Sequence, residues 1–387
     1  MSVHPLVDKA RALAPALRER RAAAQELRRV PDETIADFQE AGFFRMLAPS
    51  AYGGLEVHPN VFFDVQMIVA AACPSSAWVL GVVAVHNWQL ALFDPQAQED
   101  VWGEDTGTLI SSSYAPTGKV ERADGGYTVS GRWSFSSGCD HCQWVFLGGF
   151  APVDAGPPDM RTFLIPRSDY VIEDTWHVAG LQGTGSKDIV VAGAFVPEHR
   201  THKMIDGFKL NSPGNALNDA PLYKIPFGQI FVRSVSTSAI GMAEGALDVF
   251  NSVARSKIAA SDKTQVREDP SAQMISAKAA SIVATEKTIL RRNFDEMMAR
   301  AEAGDGFDVP TRVQWRYESA QAAARCCEAI EMLFTGSGGR AIFLDNPMQR
   351  YFQDIHAARA HYANNPDKPA RNWGRVQFGQ KTQDYFL

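Results

Sequence analysis

The sequence has little cysteine: five residues, at 73, 139, 142, 326 and 327, with no regular spacing. An odd number without a framework excludes a disulfide-stapled secreted scaffold and fits a reducing compartment. Basic charge is also short, 38 Lys and Arg against 44 Asp and Glu, a net charge of −6. That leaves no basic stripe of the kind nucleic acid requires. No apolar run is long enough for a bilayer. The most apolar tract, Val61 to Trp88, is broken by Asp64, Gln66 and Pro74, and reads as two buried helices meeting at Cys73-Pro74-Ser75-Ser76, the second beginning near Ala77. The N-terminal stretch lacks the apolar core of a signal peptide, so a cytoplasmic protein is expected.

Several chemical signatures are missing too. No GxSxG elbow occurs. Cys139 and Cys142 form a CxxC around His141, but a structural zinc site needs four ligands and no second pair lies nearby. Cys326 and Cys327 would complete one only by a long-range coincidence, and no metal is expected. Glycines in GLQGTGSKD (180–188) are followed by the strand-like IVVAGAFV, whereas a dinucleotide loop opens a helix. His356 and His361 are five residues apart, roughly 140° around a helix. They do not form a metal pair, and the spacing leaves one for the core and the other for a cleft.

What is present divides the chain in three. Residues 1–108 carry helical signals. Residues 109–210 carry short β-branched and aromatic runs bounded by turn residues, a small antiparallel barrel or sandwich. In residues 211–387 helical periodicity returns. There Gly241 and Gly245 allow close approach of another helix, Ile275, Ile282 and Ile289 mark a seven-residue seam, Cys326, Ile330 and Leu333 a third helix, and Pro347 to Tyr362 a fourth. Four such helices predict an antiparallel bundle, and the fold class is α+β. Ala151–Asp159 and His202–Ala220 read as loosely ordered.

The organising stretch is DGGYTVSGRWSFSSGCDHC (124–142). Asp124-Gly125 signals a tight hairpin turn. Tyr127, Val129, Trp133 and Phe135 then alternate with polar residues, the period of a half-buried strand. This phase turns Ser136 away from the aromatic face and delivers it, with Ser137, to a loop.

GLQGTGSKDIVVAGAFVPEHR and the segment GG…NPMQRYFQDIH resemble the acyl-CoA dehydrogenase superfamily. The resemblance implies a helical domain, a β-domain and a C-terminal four-helix bundle, with flavin between the last two and usually a homotetramer. The dehydrogenases' catalytic Glu has no counterpart: His361, Tyr362, Ala363, Asn364 and Asn365 stand near its place. FQEAGFFRMLAPSAYGGLE, VHNWQLALFD, EDVWGED, ISSSYAP, SSGCDH, FLIPRSDY and WHVAGL are similar to another branch. These are the oxygenase components of two-component, reduced-flavin-dependent aromatic hydroxylases, in particular those acting on seco-steroid phenols. Cys142, Asn365 and the tail from Pro366 to Leu387 depart from that branch.

That resemblance implies ortho-hydroxylation of a bulky phenol. Reduced FMN or FAD comes from a separate flavin reductase, and O2 adds at the flavin C4a to give a hydroperoxide that must be kept dry. It places Ser136, with Ser137, at flavin N5 and His361 as the base that ionises the phenol. Trp78, Ser112, Ser113, Tyr114 and Phe135 line the flavin or substrate cleft, and Gly339 and Arg340 form a flavin-contacting turn. Arg255 or Lys257 neutralises the flavin phosphate, and His86 and Trp88 join Tyr114 and His361 around the substrate. Alternatives are a different phenolic or polyketide-type substrate, an acyl-CoA dehydrogenase, which the missing Glu disfavours, and a non-catalytic flavin-binding protein.

Overall fold

The computed structural model describes residues 4–256 and 265–387. Helices α1 (Pro5–Glu19), α2 (Arg21–Leu27), α3 (Asp32–Ala41), α4 (Pro59–Ala72), α5 (Pro74–Leu90) and α6 (Pro95–Trp102) come first. Every residue of α5 is buried, so it has no polar face and runs through the interior as a central post. It begins at Pro74, three residues before the expected start. Proline lacks the N–H that a first helical position leaves unpaired anyway, so it sits there at no cost.

Among the described residues eight strands follow: β1 (Ile110–Ser113), β2 (Lys119–Ala123), β3 (Gly126–Ser136), β4 (Trp144–Ala151), β5 (Asp159–Pro166), β6 (Val171–Glu173), β7 (Lys187–Pro197) and β8 (Thr201–Lys203). They form two four-stranded sheets, ordered β1-β4-β5-β8 and β2-β3-β7-β6. Between them lies a core of Tyr127, Val129, Trp133, Phe163 and Ile189. The expected all-antiparallel arrangement fails at one pair, because β1 runs parallel to β4. The stretch after β8 is ordered: α7 (Met204–Lys209) is followed by a turn closed by a Ser212–Asn215 capping box.

The remaining helices are α8 (Phe227–Ser256), α9 (Pro270–Ala303), α10 (Val309–Ser337), α11 (Pro347–Arg359) and α12 (Asp367–Gln377). The two glycines of α8 do what their spacing predicts. A Cβ on Gly241 would stand 2.3 Å from the Met67 carbonyl oxygen, and one on Gly245 2.5 Å from the Tyr351 hydroxyl, so α8 lies directly on α4 and α11. The seam of α9 is not the predicted isoleucine row. Ala279, Val283, Glu286, Leu290, Asn293 and Met297 are buried, and Ile275, Ile282 and Ile289 flank them half-buried. Burial pushes the Glu286 carboxyl above its ordinary range, opposed by the charge of buried Arg233 on α8. Among the described residues no helix is long and apolar enough to cross a membrane.

Candidate active site

Strand β3 does not keep a strict alternation to its end. Trp133 pairs with Ile189 but Ser136 with Lys187, so one extra residue is inserted. The insertion is a β-bulge, and it holds Phe135 at φ 69°, a left-handed conformation that a bulky residue rarely adopts. The bulge reverses the predicted faces. Phe135 is turned outward, 70% exposed, while Trp133 and Ser136 are fully buried. Ser136 therefore points into the molecule, where its Oγ donates to Ser111 Oγ at 3.0 Å. Ser137, the next residue, is buried against Trp78 of α5.

At Ser137 the hydroxyls line up in one direction. Trp78 Nε1 of α5 donates to Ser137 Oγ at 3.2 Å. Ser137 and Ser186 lie 2.7 Å apart, as do Ser186 and Thr184, and Thr184 Oγ1 donates to the Leu181 carbonyl at 2.9 Å. A hydroxyl has one proton. Thr184 gives its proton to Leu181, so it accepts from Ser186, and Ser186 in turn accepts from Ser137. Ser137 is thereby left with a spare lone pair and no spare proton. Any further partner of Ser137 must be a donor.

The far end of this row is tied to the helical bundle. Asp354 of α11 accepts from Leu181 N at 2.7 Å, and a Cβ on Gly180 would meet the Gln353 carbonyl oxygen at 2.1 Å. Two residues beyond the end of α11 stands His361, on the cap of a short turn rather than in the helix predicted to reach Tyr362. Its ring meets Trp78 edge-on, with centroids 5.5 Å apart. Trp78 thus touches both the histidine and the serine row.

His361 Nδ1 accepts from Ala363 N at 3.1 Å. A backbone N–H can only donate, so the neutral ring carries its proton on Nε2. Desolvation, followed by the charge of Arg316, pushes its pKa down to about 4. The imidazole is neutral at physiological pH and offers an N–H rather than a lone pair. This changes the expected chemistry of a base with pKa near 6.5: at Nε2 the ring is a hydrogen-bond donor. Buried Arg316 is itself held by the Ala363 carbonyl at 3.0 Å.

A second group lies further along α5. His86 is wholly enclosed, with its Nδ1 2.6 Å from the Ile110 carbonyl and no partner for Nε2. Burial pushes its pKa to about 4. The Tyr114 ring lies 6.2 Å away and its hydroxyl donates to Gln89 Oε1. Phe231, at 5.0 Å from Tyr114, and Phe386 extend the aromatic wall. Trp88 does not line this space. It is fully buried one layer behind, stacked on Phe227 and donating to the Leu222 carbonyl at 3.0 Å. Ser113 Oγ donates to the Ser134 carbonyl at 2.7 Å, which ties β1 to β3, and the preceding residue Ser112 is half-buried.

Other predicted residues stand apart in this single chain. Arg340 is 65% exposed on its side chain, 3.3 Å from Asp345, with its guanidinium over Phe343; Gly339 opens the same turn. Arg255 is exposed in the last turn of α8, and Lys257 lies outside the described residues. Sequence reasoning missed Ser111, Thr184, Ser186 and Arg316. Thr184 and Ser186 sit in the glycine-rich segment 180–188, whose residue types give no signal for a row of hydroxyls. Phe386 lies in the tail that departs from the resemblance.

A flat heteroaromatic group suits this crevice. Phe135 is an exposed aromatic held in strained backbone, edge-on to Trp176 at 6.1 Å, beside a serine that can only accept. Strain of that kind persists where the surrounding structure enforces it, commonly at functional sites.

Residues 234–366 match the family described as acyl-CoA dehydrogenase, C-terminal domain. The chain is 42% identical to the flavin-dependent monooxygenase, oxygenase subunit HsaA, of Rhodococcus jostii strain RHA1, over 96% of its length and 98% of that protein. It is 33% identical to the FADH(2)-dependent resorcinol hydroxylase, oxygenase component, of a Rhizobium species, over 97% and 94%. The crystal structure of 3-HSA hydroxylase from Rhodococcus sp. RHA1 superposes with a TM-score of 0.95 at 41% identity, covering 99% of both chains. The fold is acyl-CoA dehydrogenase-like, as the sequence resemblance implied.

Proposed function

The chain belongs to the family of flavin-dependent monooxygenase oxygenase components, and on that premise we propose that it ortho-hydroxylates a bulky phenol, a seco-steroid phenol by preference. Reduced FMN or FAD is delivered by a separate reductase. When bound, the reduced flavin would supply two electrons for the activation of O2. The remaining work falls to this chain's own groups.

Ser137 would accept a hydrogen bond from the reduced ring's N–H, because its own hydroxyl proton is engaged with Ser186. Phe135 and Trp176 offer the flat apolar surface. The phenol would bind as its phenolate, its proton left to solvent before the site closes, and His361 would donate from Nε2–H to the phenolate oxygen and hold that charged form, whose charge makes the ortho carbon nucleophilic. Tyr114 and the phenylalanines around it hold the apolar body of the substrate and exclude water. The observation that carries this reading is Trp78, which contacts His361 on one side and Ser137 on the other. One indole brings the phenol-recognising group and the cofactor-recognising group into one crevice.

Assembly as a homotetramer is part of the reading. Ile342, Phe343 and Leu344 form an exposed apolar turn beside Gly339 and Arg340, which suits a surface covered by another subunit and a flavin contact across that interface. Five free, buried thiols suit the cytoplasm. The test is a reductase-coupled assay with a panel of phenols. A product heavier by one oxygen atom, formed only with reductase, supports the reading. Oxygen uptake that yields peroxide alone with every phenol contradicts it.

A further inference from the structure

Away from the crevice, we propose that Cys327, Glu331 and His356 bind a divalent transition ion, zinc by its chemistry, between α10 and α11. Cys327 and Glu331 are one turn apart on α10 and share a face; His356 of α11 faces them. The distances are 3.6 Å from Cys327 Sγ to Glu331 Oε1, 3.8 and 4.0 Å from Sγ to the two His356 nitrogens, and 3.5 Å from His356 Nε2 to Oε1. An ion bound tetrahedrally at about 2.3 Å from sulfur and about 2.0–2.1 Å from nitrogen and oxygen has ligand–ligand edges of about 3.3–3.6 Å. The triangle already present needs only a few tenths of an ångström to close on one.

The surroundings favour the same conclusion. Cys327 is buried, whereas the side chains of Glu331 and His356 are 44% and 39% exposed, which leaves a fourth position open to solvent. Phe352 stands edge-on to the His356 ring at 4.5 Å and stacks on Phe334 at 4.3 Å, so the imidazole is held in place. Arg359 Nη1 lies 4.0 Å from Sγ. A mixed sulfur, nitrogen and oxygen set selects zinc-like ions over calcium or magnesium. Among the described residues this is the one place where three such ligand atoms come within 4.8 Å of each other. The proposal departs from the expectation of no metal, which rested on local motifs; Glu331 and His356 are 25 residues apart on two helices and leave none. Bound there, the ion would pin α11, which carries Asp354 and leads into His361.

The test uses the full chain, stripped with chelator and titrated with Co2+ alone. One equivalent per chain should give a thiolate-to-cobalt charge-transfer band and intense tetrahedral visible bands, both displaced by Zn2+. Cys327→Ser should abolish the charge-transfer band, and His356→Ala and Glu331→Gln should each weaken binding by more than about tenfold. The last two replace half-exposed side chains and keep the test sound if Cys327→Ser misfolds. No band with wild-type protein, or an unchanged titration in His356→Ala and Glu331→Gln, overturns the proposal.

Discussion

Ser137 accepts a hydrogen bond from Trp78 and donates one to Ser186, so Ser137→Ala removes an acceptor and leaves both neighbours short of a partner. We expect the variant to consume reduced flavin and O2 with most of the oxygen lost as peroxide, read by peroxide assay against product. Ser136→Ala should behave differently. It breaks a fully buried bond to Ser111, costing about 1 kcal/mol in stability while product yield per O2 stays near wild type. Equal uncoupling in the two variants would contradict the assignment. His361→Ala should lose roughly a hundredfold in hydroxylation with O2 consumption retained. Because the imidazole stays neutral down to about pH 4, the rate should follow ionisation of the phenol and show no step near pH 6.5. At this scale the sequence was informative about identity and weak on direction. Trp78, the serine pair and His361 were legible by resemblance. Which serine faces the crevice depends on a bulge, and which nitrogen of His361 holds the proton depends on the backbone N–H of Ala363.

Elements were legible where periodicity decides them. α5, α8 and the short strands follow from apolar spacing and turn residues. The misses come from tertiary packing. The bulge in β3 falls where Ser136 pairs with Lys187 on a distant segment, and Lys187 also binds Asp140 at 2.9 Å. The α9 seam accepts Glu286 and Asn293 because charged and polar partners meet them inside the bundle, with Arg325 3.3 Å from Glu286 and Asn293 bonded to Glu318. The glycine pair of α8 gives a direct check on helix spacing. Gly241→Ala would press a methyl against the Met67 carbonyl oxygen and should destabilise by about 3 kcal/mol, read by urea unfolding. A neutral result would mean that α4 and α8 are not so close.

For the whole molecule, burial of histidines sets an acid limit. His86 and His202 are held neutral by desolvation, with pKa values near 4 in the fold against about 6.5 when unfolded. Between those values the unfolded chain binds more protons, so these two groups cost stability as pH falls from about 6.5 to 4 and cost nothing above it. Their joint slope is at most about 2.7 kcal/mol per pH unit. His202→Gln should flatten the fall in urea midpoint across that window, and an identical fall would show that His202 titrates normally. The architecture itself was readable from the alternation of helical, strand and helical signals. The pairing of β1 with β4 and the docking of the tail were not, since both join residues far apart in sequence.

The central claim, that Trp78 unites a phenol-binding histidine and a flavin-binding serine row in one oxygenase crevice, is tested most directly by isotope. Supply purified chain with reductase, reduced flavin, a bulky phenol and heavy dioxygen, and read the product by mass. One heavy oxygen atom in the catechol product is the predicted result. A product without heavy oxygen, or substrate recovered unchanged while dioxygen is consumed, would contradict the account.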